Sequence, residues 1–314
     1  MTLNSPKSSA AGVVAVVVTY HPDLMRLAEL LRAVVPQVDS IVVIDNGSDR
    51  DVAGCLAAQN DPKLNAVFLS ENLGIAAAHN AGIRWARERG AEYVLLMDQD
   101  SVPDESMVAA LKAAHENLLE KGEKVAAVGP RCRDRESGSL SPHLRFGKVR
   151  FAPAICVAGQ RVVRADVLIS SGSLIPMNVL AAIGGMDESL FIDQVDIEWV
   201  LRARAQGYMV WGHCEASMAH SLGEHRQRVW LGRWREVPVH QPFRYYYMIR
   251  NSVLLQRRSY PCWAWRRVDT IRLLQMLVLV TLFHPDRSRV LHRMLQGLWD
   301  GISTDVRSPI RNDL

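Results

Sequence analysis

Apolar, β-branched runs alternate with segments of helical period over the first two-thirds of the chain. Residues 13–19 form a continuous apolar run that stops at Tyr20-His21-Pro22, which predicts a buried strand meeting a turn. Leu24, Leu27, Leu30, Leu31 and Val34 then recur at helical spacing, predicting a helix over 24–35. The alternation continues with strands at 40–44, 65–69, 93–97 and 125–128 and helices at 49–59, 75–89 and 103–121. Gly90 and Gly122 stop two of those helices. This order predicts an α/β fold with a doubly wound, mainly parallel sheet. Open sheets of that kind bind ligands beyond the carboxyl ends of their strands. Tyr20, Asp45, Asn72 and the Asp98–Asp100 turn are therefore expected in one crevice.

The pattern weakens over 130–164, which is basic and rich in Gly, Ser and Pro, and reads as a loop or hairpin insertion bordering that crevice. Residues 168–175 (LISSGSLI) are strand-like with small polar residues at their centre. Helices are expected at 179–183 and 195–205 and a strand at 208–211. Beyond His225 the chain turns basic and aromatic, then helical at 244–258, 267–283 and 287–299.

Composition narrows the class. A chain of 314 residues, 48% hydrophobic and 22% charged, is neither disordered nor collagen-like. Its five cysteines are scattered and without a CxxC pair, which speaks against a zinc ribbon or a disulfide framework and for a reducing cytoplasm. The polar residues 1–12 carry no targeting signal and are expected to be flexible. The longest apolar stretch, 273–283, is interrupted by Gln275 and falls short of the roughly 20 residues of a membrane span. The net charge of +4 hides an asymmetry: 21 basic against 27 acidic residues through His225, then 16 arginines against 6 acidic residues. Either this is a solvated Arg-rich face or it meets a polyanion. No nucleic-acid module accompanies the arginines, and Trp263, Trp265 and the 273–283 run beside them favour an anionic membrane surface.

Three segments carry candidate chemistry. Asp98-Gln99-Asp100 sets two carboxylates at the end of an apolar strand, a donor set that suits Mg²⁺ or Mn²⁺ shared with diphosphate oxygens. The first strand lacks the Gly-rich turn of a dinucleotide-binding dehydrogenase or a P-loop enzyme, which lowers both readings and also that of a nucleotidyltransferase. In NLGIAAAHNAG (72–82), Gly74 permits a tight turn and the alanines leave a bare helical face for a ligand or a sheet. In LFIDQVDIEWVLRA (190–203), Asp193, Asp196 and Glu198 lie near a helix start, where negative charge is favoured. There they are either a helix-start charge pattern or a source of a general base.

The ordered set VVVTYHP, VVIDNGS, ENLGIAAAHNAGI, LLMDQDS, SSGSLI and LFIDQVDIEWVLRA resembles the family 2 inverting glycosyltransferases of GT-A fold. NLGIAAAHN, MDQDS, FIDQVDIEW, YYYMIRN and GLWDGI further resemble the bacterial rhamnosyltransferase branch. The resemblance implies a GT-A catalytic domain over 13–225, with a donor half at 13–130 and an acceptor half at 165–225. A basic helical region, 226–314, would follow as a membrane-surface or oligomer contact. Thr19 and Tyr20 would wall the nucleobase and Asp45 would bond the base or ribose. Asn72, Gly74 and Asn80 would lie along the nucleotide sugar, Asp98 at the ribose, and Asp100 with His220 at the metal. Asp196 would be the catalytic base, Glu198 a supporting acid and Trp199 part of the acceptor side. Val195 stands where many members carry an acid, and a one-residue shift in the match would put Asp193 or Glu198 in place of Asp196. His213 and His225 match no role. The implied function is transfer of L-rhamnose from dTDP-L-rhamnose to a glycan or glycolipid hydroxyl in cell-surface synthesis. The rival readings are a UDP-hexose donor and a non-catalytic sugar-nucleotide-binding or scaffold protein.

Overall fold

A computed structural model describes residues 12–220, 226–230, 232 and 234–305. Residues 1–11 of the N-terminal segment expected to be flexible, and His225, lie outside the described residues. Strands β1 (Val13–Thr19), β2 (Ser40–Asp45), β3 (Leu64–Phe68) and β4 (Tyr93–Asp98) pair in parallel in the order β3-β2-β1-β4. Helices α1 (Leu24–Val34), α2 (Val52–Gln59) and α3 (Ile75–Glu88) connect them. β1 is buried at every position, and apolar up to Thr19, because both of its faces are covered. Val14, Val16 and Val18 face the layer containing α3, and Val13, Ala15 and Val17 face the layer containing α1. A side chain at Gly82 of α3 would run into Val16, so the small residues of that helix serve close packing on the sheet.

The sheet continues past β4 through β5 (Val102–Pro103), α4 (Met107–Glu120), β6 (Val125–Asp134), a hairpin of β7 (His143–Phe146) and β8 (Phe151–Ala154), and β9 (Val162–Ala165). β10 (Leu174–Pro176), α5 (Met177–Ile183), α6 (Val195–Ala205) and β11 (Met209–His220) complete it. The order is β3-β2-β1-β4-β10-β6-β11-β5, with β9 also on β11; β10, β5 and β9 run antiparallel. The result is a mainly parallel α/β sheet, as the alternation predicts. Three local expectations change. Only the last two residues of LISSGSLI are strand, at the start of Leu174–Pro176, because Ser170–Ser173 closes a turn in which Gly172 takes φ +79° and donates to the Leu96 carbonyl. β11, of 12 residues, runs on to His220 beside the 10-residue β6, past a register shift between Gly212 and Ser217. Cys156 and Cys214 form a disulfide, which corrects the expectation of unpaired cysteines; Cys55, Cys132 and Cys262 are free.

β12 (Arg226–Trp230) and β13 (Trp234–Pro238) form a hairpin, and α7 (Pro242–Arg257), α8 (Trp263–Phe283) and α9 (Arg287–Ser303) follow. Leu254, Leu255 and Trp265 join the sheet's own apolar layer, while Tyr245, Ile249, Val280, Val290 and Met294 make a smaller cluster between the helices. The glycines of GLWDGI explain their spacing. A side chain at Gly297 would meet the Tyr246 carbonyl, and one at Gly301 would meet Val253, so α9 lies directly against α7. Among the described residues, no helix is long and apolar enough to cross a membrane.

Candidate active site

The turns after β1 to β4 do meet at one edge. The Thr19 hydroxyl donates to Asp45 at 2.9 Å, and Asp45 also accepts from the Ser48 amide and hydroxyl. Asn46 donates to Asn72 Oδ1, which also accepts from the Gly74 amide, so the third turn is clipped to the second. Gln99 exchanges two bonds with the Tyr20 backbone, joining the first turn to the fourth and leaving the Tyr20 ring exposed. Thr19 and Asp45 are thus buried parts of the edge's framework, and Tyr20 is the ring that faces outward.

At the fourth turn Asp98 and Asp100 sit beside His220 from the end of β11. His220 Nδ1 lies 3.8 Å from Asp100 Oδ1. A hydroxyl relay fixes the group: the Asp98 amide donates to Ser171 Oγ, Ser171 donates to Ser101 Oγ, and Ser101 Oγ lies 2.7 Å from His220 Nδ1. The Ser-Gly turn before β10 therefore supports the DxD turn from beneath. Burial pushes Asp98 up to about 6, with Asp100's like charge adding and His220 opposing. Two crowded carboxylates and one imidazole suit a divalent cation. Among the described residues no three His, Cys, Asp or Glu side chains close a full metal cage. A cation shared with diphosphate needs only one or two carboxylates from the protein, so Asp100 and His220 fit that kind of site.

A cleft of about 490 Å³ joins Asp98 to Asp196 and Asp193, with Ile75, Phe151 and Arg244 on its walls. Phe151 shows that the insertion hairpin borders the site. Asp196 stands in the first turn of α6, its Oδ1 accepting the Ile197 amide at 2.8 Å. Burial pushes its carboxyl up to about 6, and the charges of Asp98 and Asp193 add to that. The loop before α6 is strained: Phe191, Asp193 and Gln194 all take φ of 63–66°, where a non-glycine residue costs about 1–3 kcal/mol. The C-terminal helices hold it there. The buried Asn251 amide donates to the carbonyls of Leu190, Ile192 and Asp193 at 2.8–2.9 Å. Arg250 donates to the Ser189 carbonyl, and Arg244 pairs with Asp193 at 2.7 Å. Gln194 reaches Ser252 and Asp269, and Arg272 closes that buried network from α8. YYYMIRN thus carries the restraints on the loop that presents Asp196.

Other expected site residues lie elsewhere. Glu198 is 0% exposed and paired with Arg202 through two 2.9 Å bonds; Arg258 and the Tyr260 hydroxyl also reach it. It is a structural anion in a buried ion cluster, not a wall of the cleft. Trp199 is a core aromatic whose indole N–H donates to the Gly184 carbonyl, so it does not line an acceptor side. Asn80 is buried and bonded to Met186 and Glu188, pinning the loop after α5. A side chain at Gly74 would strike Phe191, so its bare turn admits the strained loop and not a sugar. Removing one partner of a buried ion cluster leaves an uncompensated charge, at a cost of about 3–5 kcal/mol. Glu198→Ala is expected to lose stability on that scale in urea titration, and wild-type stability would deny Glu198 this structural role.

Sequence reasoning missed His79. It is fully buried, lines the cleft, and neither ring nitrogen has a hydrogen-bond partner. Burial pushes it down to about 4, so it stays neutral. An unsatisfied buried polar group calls for a reason, and only its position inside NLGIAAAHN pointed to one. Arg244 was also missed, and Asn251, matched within YYYMIRN, had no assigned role, because their partners lie 51 and about 60 residues away.

Comparisons with known proteins converge on these segments. Residues 15–179, which include β1 to β4 and the DxD turn, match the sequence model of Glycosyl transferase family 2. The chain is 34% identical to "dTDP-rhamnosyl transferase RfbF" of Shigella flexneri over 251 residues, 80% of this chain and 81% of that one. It is 30% identical to "Galactofuranosyltransferase GlfT1" of Mycobacterium tuberculosis over 253 residues, 76% and 80% of the two chains. S. aureus TarS 1–349 in complex with UDP-GlcNAc shares its fold with a TM-score of 0.57 at 15% identity, over 93% of this chain and 80% of that one. GalNAc-T7 with UDP, GalNAc and Mn²⁺ gives 0.56 at 14% identity, over 69% and 44%. The matched segments are the ones that build the carboxyl edge and its carboxylates, and the chain belongs to Glycosyl transferase family 2.

Proposed function

We propose that this glycosyltransferase moves L-rhamnose from dTDP-L-rhamnose to a hydroxyl of a glycan or glycolipid acceptor, with inversion. The observation that carries the chemistry is one cleft holding both Asp98, at the DxD turn, and Asp196, at the start of α6. The donor choice is supported by the similarity to the dTDP-rhamnosyl transferase over most of both chains. The acceptor oxygen attacks the anomeric carbon from the face opposite the diphosphate, and the bond to the diphosphate oxygen breaks. Asp196 takes the acceptor's proton as charge develops, and a β-linked donor gives an α-L-rhamnoside. Asp100 and His220 would hold a Mg²⁺ or Mn²⁺, which offsets negative charge on the departing diphosphate.

A second reading keeps the chemistry but takes a hexose from a UDP-sugar donor; the similarity to the galactofuranosyltransferase favours another sugar in place of rhamnose. Calorimetry separates the two. Binding of dTDP-L-rhamnose that needs Mg²⁺ or Mn²⁺ and is lost in chelator is expected, with UDP-glucose, UDP-galactose, UDP-galactofuranose and GDP-mannose weaker. Preference for a UDP-sugar would discard the rhamnosyl assignment, and binding of none by folded protein would favour a non-catalytic role. We further read the enzyme as cytoplasmic and peripheral on the anionic inner face of the membrane. The arginine excess after His225 and the exposed Trp263 and Trp299 support that reading.

A further inference from the structure

A second cavity, of about 250 Å³, lies beside the catalytic cleft between α7, α8 and the end of β13. Met248, Met276, Leu279 and Phe283 make its apolar walls, and Arg272, Gln275, His240 and His284 are its polar lining. Met248 and Arg272 line the catalytic cleft as well. The two spaces are therefore neighbours across two side chains, one apolar and flexible, the other charged. The cavity is larger than the ~150 Å³ apolar hole that admits benzene. Methionine walls adapt their shape to an apolar ligand at little cost.

The surroundings of the cavity say what kind of molecule would use it. Burying unpartnered hydroxyls against apolar walls is unfavourable, so a free oligosaccharide gains nothing there. A hydrocarbon chain gains with every methylene it buries. The outer face of α8 exposes Leu274, Leu277, Val278 and Leu282, at i, i+3, i+4 and i+8. This ridge lies on the side of α8 away from Met276, Leu279 and Phe283, and gives the helix that walls the cavity a face able to rest on a lipid surface. The ligand then has two ends: a polar one in the cleft of Asp196 and an apolar one between α7 and α8.

We propose that this cavity takes the hydrocarbon chain of an amphiphilic acceptor, whose hydroxyl reaches Asp196 past Met248 and Arg272. The proposal rests on the acceptor reading given to Asp196 above and names the acceptor's class: a lipid-borne alcohol or glycan. It makes Arg272 the hinge between sites, since the same guanidinium is bound to Asp269 and Ser252 in the network behind the Asp196 loop.

The test uses the full chain with n-hexyl, n-octyl and n-decyl β-D-glucopyranosides below their micellar concentrations. Affinity by calorimetry is expected to rise about fourfold for each methylene added until the cavity is filled. An octyl glucoside with a diazirine at the chain end is expected to label Met248, Met276, Leu279 or Phe283 on irradiation. Leu279→Trp, which fills the cavity, is expected to flatten the chain-length series. dTDP-L-rhamnose binding in the same variant reports whether it has folded. Affinity independent of chain length, or label confined to Leu274, Leu277 and Leu282, overturns the proposal. So does sedimentation showing a dimer that shields the α8 ridge and loses the label. Loss of donor binding alone, with alkyl binding and labelling intact, would refute the donor assignment and leave the cavity's role standing.

Discussion

Asp196→Asn is expected to lower kcat by about 10²–10⁴-fold, the range that a positioned general base supplies, with donor affinity unchanged. The substitution keeps the shape of the side chain and its bond from the Ile197 amide, and removes only the ability to take a proton. Steady-state transfer rates and donor calorimetry on the same preparation check both halves. Full transfer by the variant would remove Asp196 from the role and promote its neighbour Asp193, which lines the same cleft. Glu198 is not available as that substitute, because it is fully buried against Arg202 and Tyr260.

The same carboxylate sets a pH dependence. Burial raises Asp196 to about 6, and a base acts only when deprotonated. The value of kcat/KM is therefore expected to be level above about pH 6 and to fall tenfold per unit below it. In the residual activity of Asp196→Asn the acid limb should shrink to the share contributed by Asp98, which burial also raises to about 6. An acid limb centred near 4, the ordinary carboxylate range, would mean that the group taking the proton is solvated and is not Asp196.

The carboxyl edge of the sheet was legible in the sequence because it depends on local pattern. Each apolar run ends in a polar turn, and a parallel sheet brings such turns together whatever the packing details. Tyr20, Asp45, Asn72 and Asp98 accordingly meet at one edge. The roles of individual side chains there were less legible, since a polar residue in a turn can face a ligand or another turn. Thr19, Asn72 and Asn80 turn out to bond protein groups. Glu198 and Trp199 follow Asp196 so closely that helical spacing alone decides which faces the cleft, and the helix turns both inward. The Cys156–Cys214 bond and the restraints on the α6 loop join positions about 60 residues apart, and nothing in local composition marks such pairs.

The loop that presents Asp196 gives the C-terminal helices a part in catalysis, and Asn251 is where that part is concentrated. Its two amide hydrogens serve three carbonyls of a segment with three residues at positive φ. Asn251→Ala takes the side-chain donor from the Ile192 and Asp193 carbonyls and leaves that of Leu190 with the Ile192 amide alone, a cost of about 1–3 kcal/mol for a buried polar group, and frees the loop to relax. A reacting group moved by about 1 Å can lose about 10²-fold in rate, so kcat is expected to fall on that scale while donor affinity holds. Asn251→Asp is nearly isosteric, yet it places a carboxylate against three carbonyl oxygens, so repulsion replaces attraction. Its loss of both melting temperature and kcat is expected to exceed that of the alanine variant, although alanine removes more atoms. Thermal melts and transfer rates on the two proteins decide the matter. Equal losses would mean that Asn251 fills space, while wild-type rates in both would mean that Arg244, Arg250 and the Gln194 network hold the loop without it.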